Sequence, residues 1–241
     1  MSVWYPLGIT AAFLAAGAVK GITGMGLPTV AVSLLALWMS PAHAAALLVA
    51  PALLTNAAQC QGPHWRRLSA LLWPTWLGLT VLTVFAPSWG AAVDVRLVLG
   101  FVLLLYGAWG LWRPALPDLR SHAGWSGLLA GSATGLLTAA TAVFVMPLVP
   151  YLQSLRLRKD AMVQALGLTF GIATIALAVR LGSSGSVPLV GPGTVFAVTA
   201  AFAGMWLGTR VRARIGSLAF QRALFAVFLM LGLTNVLRSI V

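Results

Sequence analysis

Acidic residues are almost missing from this chain. Among 241 residues only Asp94, Asp118 and Asp160 carry a carboxylate side chain. Charged residues of either sign make up 7%, against about 25% in an ordinary soluble domain. There is one cysteine, Cys60, so an internal disulfide is excluded. The three histidines, His43, His64 and His122, stand alone and show no metal-ligand spacing. No Cys-x-x-Cys and no Gly-x-Ser-x-Gly elbow is present. These absences weigh against a hydrolase built on paired acids, a metalloenzyme and a thiol oxidoreductase. The start carries no cationic region of the kind that precedes a cleaved signal segment.

What is abundant is apolar surface. Hydrophobic residues make up 60% and the mean hydropathy is +0.97. No soluble fold of this length hides that much, and the long unbroken runs differ from the short alternating strands of a membrane barrel. The composition therefore predicts an all-α polytopic membrane protein. The formal net charge of +12 follows from the shortage of acids, and the basic residues lie between apolar runs. Such arginines orient a membrane protein, and no nucleic-acid partner is expected.

Eight apolar blocks can be drawn: 4–37, 41–58, 68–85 and 96–112, then 123–155, 160–181, 190–209 and 221–240. The proline-rich polar stretch 113–120 divides them into repeats 1–115 and 121–241, within a single transmembrane domain over 1–241. The first block of each half is too long for one crossing. A continuous helix over 4–37 would measure about 51 Å, against about 30 Å of bilayer hydrocarbon. Residues 17–28, Gly-Ala-Val-Lys-Gly-Ile-Thr-Gly-Met-Gly-Leu-Pro, predict the break in the first; 131–141 predicts the interruption of the second. The halves match: Gly17 and Gly21 correspond to Gly131 and Gly135, while Gly78 and Arg96 correspond to Gly204 and Arg222. On that register Thr138 and Ala140 fall where Gly24 and Gly26 stand.

Charge parity decides the sense of the repeat. If each long block crosses once, eight cations fall on one side and six on the other. If each is a helical hairpin, Arg66, Arg67, Arg113, Arg120, Arg156, Arg158, Lys159, Arg210, Arg212, Arg214 and Arg222 share one side. Arg96, Arg180 and Arg238 then lie opposite. Eleven against three obeys the positive-inside rule far better. The expectation is two inverted repeats, each with one broken helix or helical hairpin plus three full spans, about ten helices in all, with the N-terminus outside.

The candidate substrate site follows from the breaks. The interior of the apolar blocks holds no Asp or Glu, which weakens a cation carrier. Half-helix N-termini and free N–H groups at a broken helix favour anions. Gly21, Gly24 and Gly26 allow close backbone approach, Met25 lies between two of them, and Thr23 adds a hydroxyl. Thr138 and Thr141 are the corresponding groups of the second half. Asn56, Gln59 and Gln164 are neutral hydrogen-bonding groups in neighbouring blocks. Lys20 is either the counter-ion of the site or a cation snorkelling to the interface.

The run Gly17-Ala18-Val19-Lys20-Gly21-Ile22-Thr23-Gly24-Met25-Gly26 is joined by Gly131-x-x-x-Gly135-Leu136-Leu137-Thr138 in the second half. Arg158-Lys159-Asp160-Ala161, Gly204-x-x-x-Gly208 and the closing helix with Arg222 complete the pattern. Over essentially its whole length the chain resembles the sulfite exporter TauE/SafE family, also called the TSUP family of sulfonate and sulfite permeases. The second motif departs from the pattern: Thr138-Ala139-Ala140-Thr141 stands where Thr-Gly-x-Gly is expected. The resemblance implies a secondary transporter of the cell inner membrane for a small anion: sulfite, a sulfonate or a related organosulfur or organic acid. Alternating access would be its mechanism. The partners implied are that anion and the lipid bilayer, with coupling to a proton or to sodium and the oligomeric state both left open. No cofactor is expected. The rival readings are a membrane-embedded enzyme or assembly factor, and an anion channel.

Overall fold

The computed structural model describes residues 4–87, 94–112, 114–185, 187–212 and 217–240. Its described residues form ten α-helices and no strand: α1 (Trp4–Thr23), α2 (Leu27–Leu35), α3 (Pro41–Cys60), α4 (Trp65–Phe85), α5 (Val95–Trp112), α6 (Ala123–Thr141), α7 (Leu148–Ser154), α8 (Lys159–Ser184), α9 (Pro192–Arg212) and α10 (Ser217–Ile240). Seven of them are long and apolar enough to cross a membrane. Local chemistry sets several ends. Ser40 caps α3 by accepting from the His43 N–H, with Pro41 in the first turn where its missing N–H costs nothing. Gly185, at φ 60°, closes α8.

The two overlong blocks are indeed interrupted, as α1 then α2 and as α6 then α7. The second interruption lies later than the sequence predicts. Helix α6 runs intact through 131–141 and gives way only over 142–147. The reason is that Gly131 and Gly135 are packing residues. A Cβ on Gly131 would stand 2.1 Å from the Thr75 carbonyl oxygen, and one on Gly135 would stand 2.6 Å from that of Leu79. Gly17 and Gly21 do the same on α9, with Cβ positions 2.2 Å from the Ala201 oxygen and 2.3 Å from the Met205 oxygen. Small residues spaced by four bring helix backbones together this way. The correspondence of Gly17 with Gly131 is thus one of packing, and α6 adds a turn before it breaks.

These contacts also fix helix sense. Positions rise together along α1 and α9, and along α4 and α6, so each pair runs parallel. Gly100 lies against Gly232 and Val236 while Gly107 lies against Phe225 and Leu229, so α5 and α10 run antiparallel. Helices α3 and α8 also run antiparallel: Gly167 meets Gln59 and Cys60, and the far ends meet where Pro41 and Ala42 share a cavity with Arg180 and Leu181. Trp76 donates to Thr169 and Arg180 to Thr83, so α4 and α8 are parallel. Lys20 bonds to Thr55 and Asn56, while Ile9 and Leu47 both reach Gly193 at the other end, so α1 and α3 point the same way. The short α2 must therefore carry the chain back between them, and α7 does so between α6 and α8.

At one end of the bundle gather Arg66, Arg67, Arg120, Arg156, Arg158, Lys159, Arg210 and Arg222, where α3, α5 and α9 finish or their successors begin. Arg96, Arg180 and Arg238 stand at the other. Arg212 ends α9 on the same side as the first group, and Arg113 and Arg214 lie outside the described residues. Asp118 organises the first end: it accepts from Arg120 Nε (2.9 Å) and Nη2 (2.5 Å), with Arg156 Nε 3.7 Å away. The Arg120 hydrogen bonds hold its carboxyl down at about 2, with the Arg156 charge assisting, and Asp118 in turn raises Arg120.

Candidate functional site

Helix α1 ends because Thr23 and two glycines end it. The Thr23 hydroxyl can donate to the carbonyl of Val19 (2.9 Å) or of Met25 (2.8 Å), and it accepts from the Met25 N–H at 3.2 Å. Gly24 and Gly26 have φ of 83° and 94°, a region that excludes most side chains. Gly26 then starts α2, whose Pro28 lies in the first turn. The first N–H groups of a helix have no intrahelical acceptor, so those of Leu27 and Thr29 are turned out at the break.

Lys20 lies one turn before the break and is 3% exposed. Its ammonium donates to Thr55 Oγ1 at 3.1 Å and to Asn56 Oδ1. Thr55 can accept because its own proton goes to the Pro51 carbonyl, 2.7 Å away. Gln59, one turn further along α3, donates to the Gly24 carbonyl at 2.9 Å and so ties the break to α3. Lys20 is thus buried and bonded to α3. Among the described residues Lys20 has no carboxylate partner; the ion pairs are those of Asp118. Asn56 Nδ2, Gln59 Oε1 and Thr29 Oγ1 are buried with no hydrogen-bond partner among the described residues. A buried cation without a counter-ion and a buried amide donor without an acceptor are costly unless something supplies the missing charge. Of these groups the Lys20 ammonium, Asn56 Nδ2 and Thr29 Oγ1 can donate to a ligand, whereas Gln59 Oε1 can only accept.

The second break has different chemistry. Thr141 ends α6 as Thr23 ends α1: its hydroxyl donates to Leu137 (2.7 Å) and accepts from the Val143 N–H (3.2 Å). Ala142 takes φ 58° where a glycine would sit easily. The chain that follows is apolar, with Val143, Phe144 and Val145 fully buried and Phe144 packed on Phe170, 5.2 Å between centroids. Thr138 and Thr141 line a cavity of about 170 Å³ together with Arg180. The Thr138 hydroxyl is given to Thr134 at 2.7 Å. Arg180 bonds instead to the free carbonyls at the end of α4, at 3.1 Å to Thr83, 2.8 Å to Ala86 and 3.3 Å to Pro87.

The structure therefore brings Lys20, Thr23, Gly24, Met25, Gly26, Asn56 and Gln59 together at the first break. Gly21 belongs to the α9 contact, and Thr138 and Thr141 sit at the second break. Gln164 is in a third place: it donates to Cys60 and Gly62 (both 2.9 Å) and accepts from the His64 N–H (3.1 Å), fastening the α3–α4 turn to α8. Sequence reasoning missed Thr55 and Thr29, which look like ordinary threonines of apolar helices. It also missed Tyr106, Trp109, Phe225 and Phe228. These rings line a cavity of about 230 Å³ beside Thr23, Met25 and Gly26.

A model of the sulfite exporter TauE/SafE family matches residues 9–235, nearly the whole chain. No curated protein and no solved structure matches.

Proposed function

The chain belongs to the sulfite exporter TauE/SafE family, a family of membrane transporters, and from that premise we propose how this multi-pass protein works. It carries a small anion, sulfite, a sulfonate or a related organosulfur or organic acid, across the inner membrane by alternating access. The anion sits at the first break, held by the Lys20 ammonium, Asn56 Nδ2 and the opening N–H groups of α2. The observation that carries this reading is the buried Lys20, which among the described residues has no carboxylate partner, beside an unwound, glycine-lined backbone.

The halves 1–115 and 121–241 act as inverted repeats about an axis in the membrane plane. The antiparallel sense of α3 against α8 and of α5 against α10 supports this, because helices related by an axis along the membrane normal would run parallel. The cation-rich end faces the cytoplasm and the N-terminus lies outside. The parallel pairs α1–α9 and α4–α6, packed backbone to backbone on glycine, move as stiff units. Each of these pairs joins one half to the other, and the antiparallel contacts α3–α8 and α5–α10 are where the units rock.

Counterflow in proteoliposomes tests this. Vesicles loaded with unlabelled sulfite or methanesulfonate should accumulate labelled anion against its gradient for minutes. Steady conductance with no counterflow would establish a channel instead. Failure to move any of these anions would remove the transport reading.

A further inference from the structure

Beside the first break the ring-lined cavity of about 230 Å³ is built with more care than a bare oxyanion requires. Tyr106 and Trp109 of α5 stack at 6.0 Å and 11°. Phe225 of α10 meets the Tyr106 ring edge-on at 5.3 Å, and Phe228 lies 5.5 Å from it. Space for this comes from α5: a Cβ on Gly110 would stand 2.2 Å from the Phe225 ring, so only glycine lets that ring in. Gln153 and Gln221 line the cavity as well, and the break itself forms one polar wall, with Thr23, Met25 and Gly26. There the Tyr106 hydroxyl, on a residue 2% exposed, points at Met25 Sδ, 3.5 Å away, its one partner among the described residues. A thioether is a weak acceptor, so a strong buried donor is aimed at the break with little to hold.

Aromatic faces carry negative potential and repel an anion, while they reward apolar surface. An anion in this cavity gains from the rings only if it brings hydrocarbon. We propose that the site takes an organic anion with a compact apolar group. Its charged head replaces Met25 as the partner of Tyr106 and meets the start of α2, and its hydrocarbon lies among Trp109, Phe225 and Phe228. This rests on the reading of the first break as an anion site and narrows it: the inorganic oxyanion becomes the weaker ligand, and Tyr106 becomes a substrate-contacting residue.

Titration calorimetry of the purified full chain with sulfite, methanesulfonate, butanesulfonate and benzenesulfonate tests it. Each buried methylene should strengthen binding about fourfold. Butanesulfonate should therefore exceed methanesulfonate by more than about tenfold, benzenesulfonate should do likewise, and sulfite should bind no better than methanesulfonate. Tyr106→Phe should weaken every sulfonate about tenfold while keeping the slope with chain length. Trp109→Leu, verified as folded by its melting transition, should flatten that slope. A flat series, with sulfite bound as tightly as butanesulfonate, overturns the proposal. If that sulfite binding still falls in Lys20→Met, the anion site survives without it. If folded protein binds none of the four, both readings fall.

Discussion

The two breaks are made by the same device and differ in what surrounds them. Each helix ends on a threonine that bonds back to the residue four before it and accepts from the N–H two after it. At the first break positive φ falls on two glycines, and Lys20, Asn56 and Gln59 supply polar groups. At the second it falls on Ala142, and the walls are Val143, Phe144 and Val145. The two broken regions thus share a backbone device, while the first carries a buried cation and amides and the second continues into an apolar chain beside a cavity whose cation, Arg180, is bonded to the carbonyls at the end of α4. Under the proposed function that difference would put binding at the first break and mechanical support at the second.

The breaks should also open to opposite sides, and this gives the largest expected effect. In a Cys60→Ser background, a cysteine at Met25 should react with an impermeant thiol reagent from the cytoplasmic side alone. One at Ala139 should react from the outside alone. Labelling of both from one side would end the inverted arrangement.

Backbone strain separates the breaks next. Gly26→Val demands φ 94° of a β-branched residue, with its Cβ 3.1 Å from Val19. Uptake should fall at least about a hundredfold, through strain of a few kcal/mol and a filled approach to the site. Ala142→Gly should leave uptake within about twofold, since glycine relieves φ 58°. Equal loss in both variants would erase the distinction drawn between the breaks.

Much of this was legible in the sequence, for identifiable reasons. An apolar block too long for the bilayer must bend, and Gly24 and Gly26 say where, because glycine tolerates the conformation that the bend needs. The second bend was misplaced because Gly131 and Gly135 look like breakers and are spacers against α4, while Ala142 takes positive φ with no compositional signal. The antiparallel sense of α3 against α8 and of α5 against α10 agrees with the sidedness read from the arginines, which the sequence carries without any contact information. The ring-lined cavity left no local trace: Tyr106 and Phe225 stand 119 positions apart and look like any aromatic residues of apolar helices. Gln164 shows the converse, a polar residue in an apolar block whose donors and acceptor are taken by a turn.

Smaller effects sharpen the comparison. Gln59→Leu removes the tie to the Gly24 carbonyl and should cost about 1–2 kcal/mol of stability, with substrate affinity several-fold weaker. Thr141→Val should cost about 1 kcal/mol of stability with affinity unchanged, measured on the same melts and titrations. The smallest effect lies outside both breaks. The carboxyl of Asp118 is held at about 2, below its ordinary 3.8, so its contribution is complete above about pH 4 and fades as pH falls toward 2. Because Asp118 is solvent-exposed, the melting midpoint should shift by no more than about 1 °C through that window. Asp118→Asn should abolish even this.

The charge at the first break is the centre of the account, and Lys20→Met examines it alone, since methionine keeps much of the stem and removes the ammonium. Affinity for methanesulfonate and the melting temperature should be measured on the same purified protein. The account predicts affinity weakened at least about tenfold, with melting unchanged or raised because an unpaired buried charge has gone. Normal affinity with a lowered melting temperature would contradict it and reduce Lys20 to a structural cation bonded to α3.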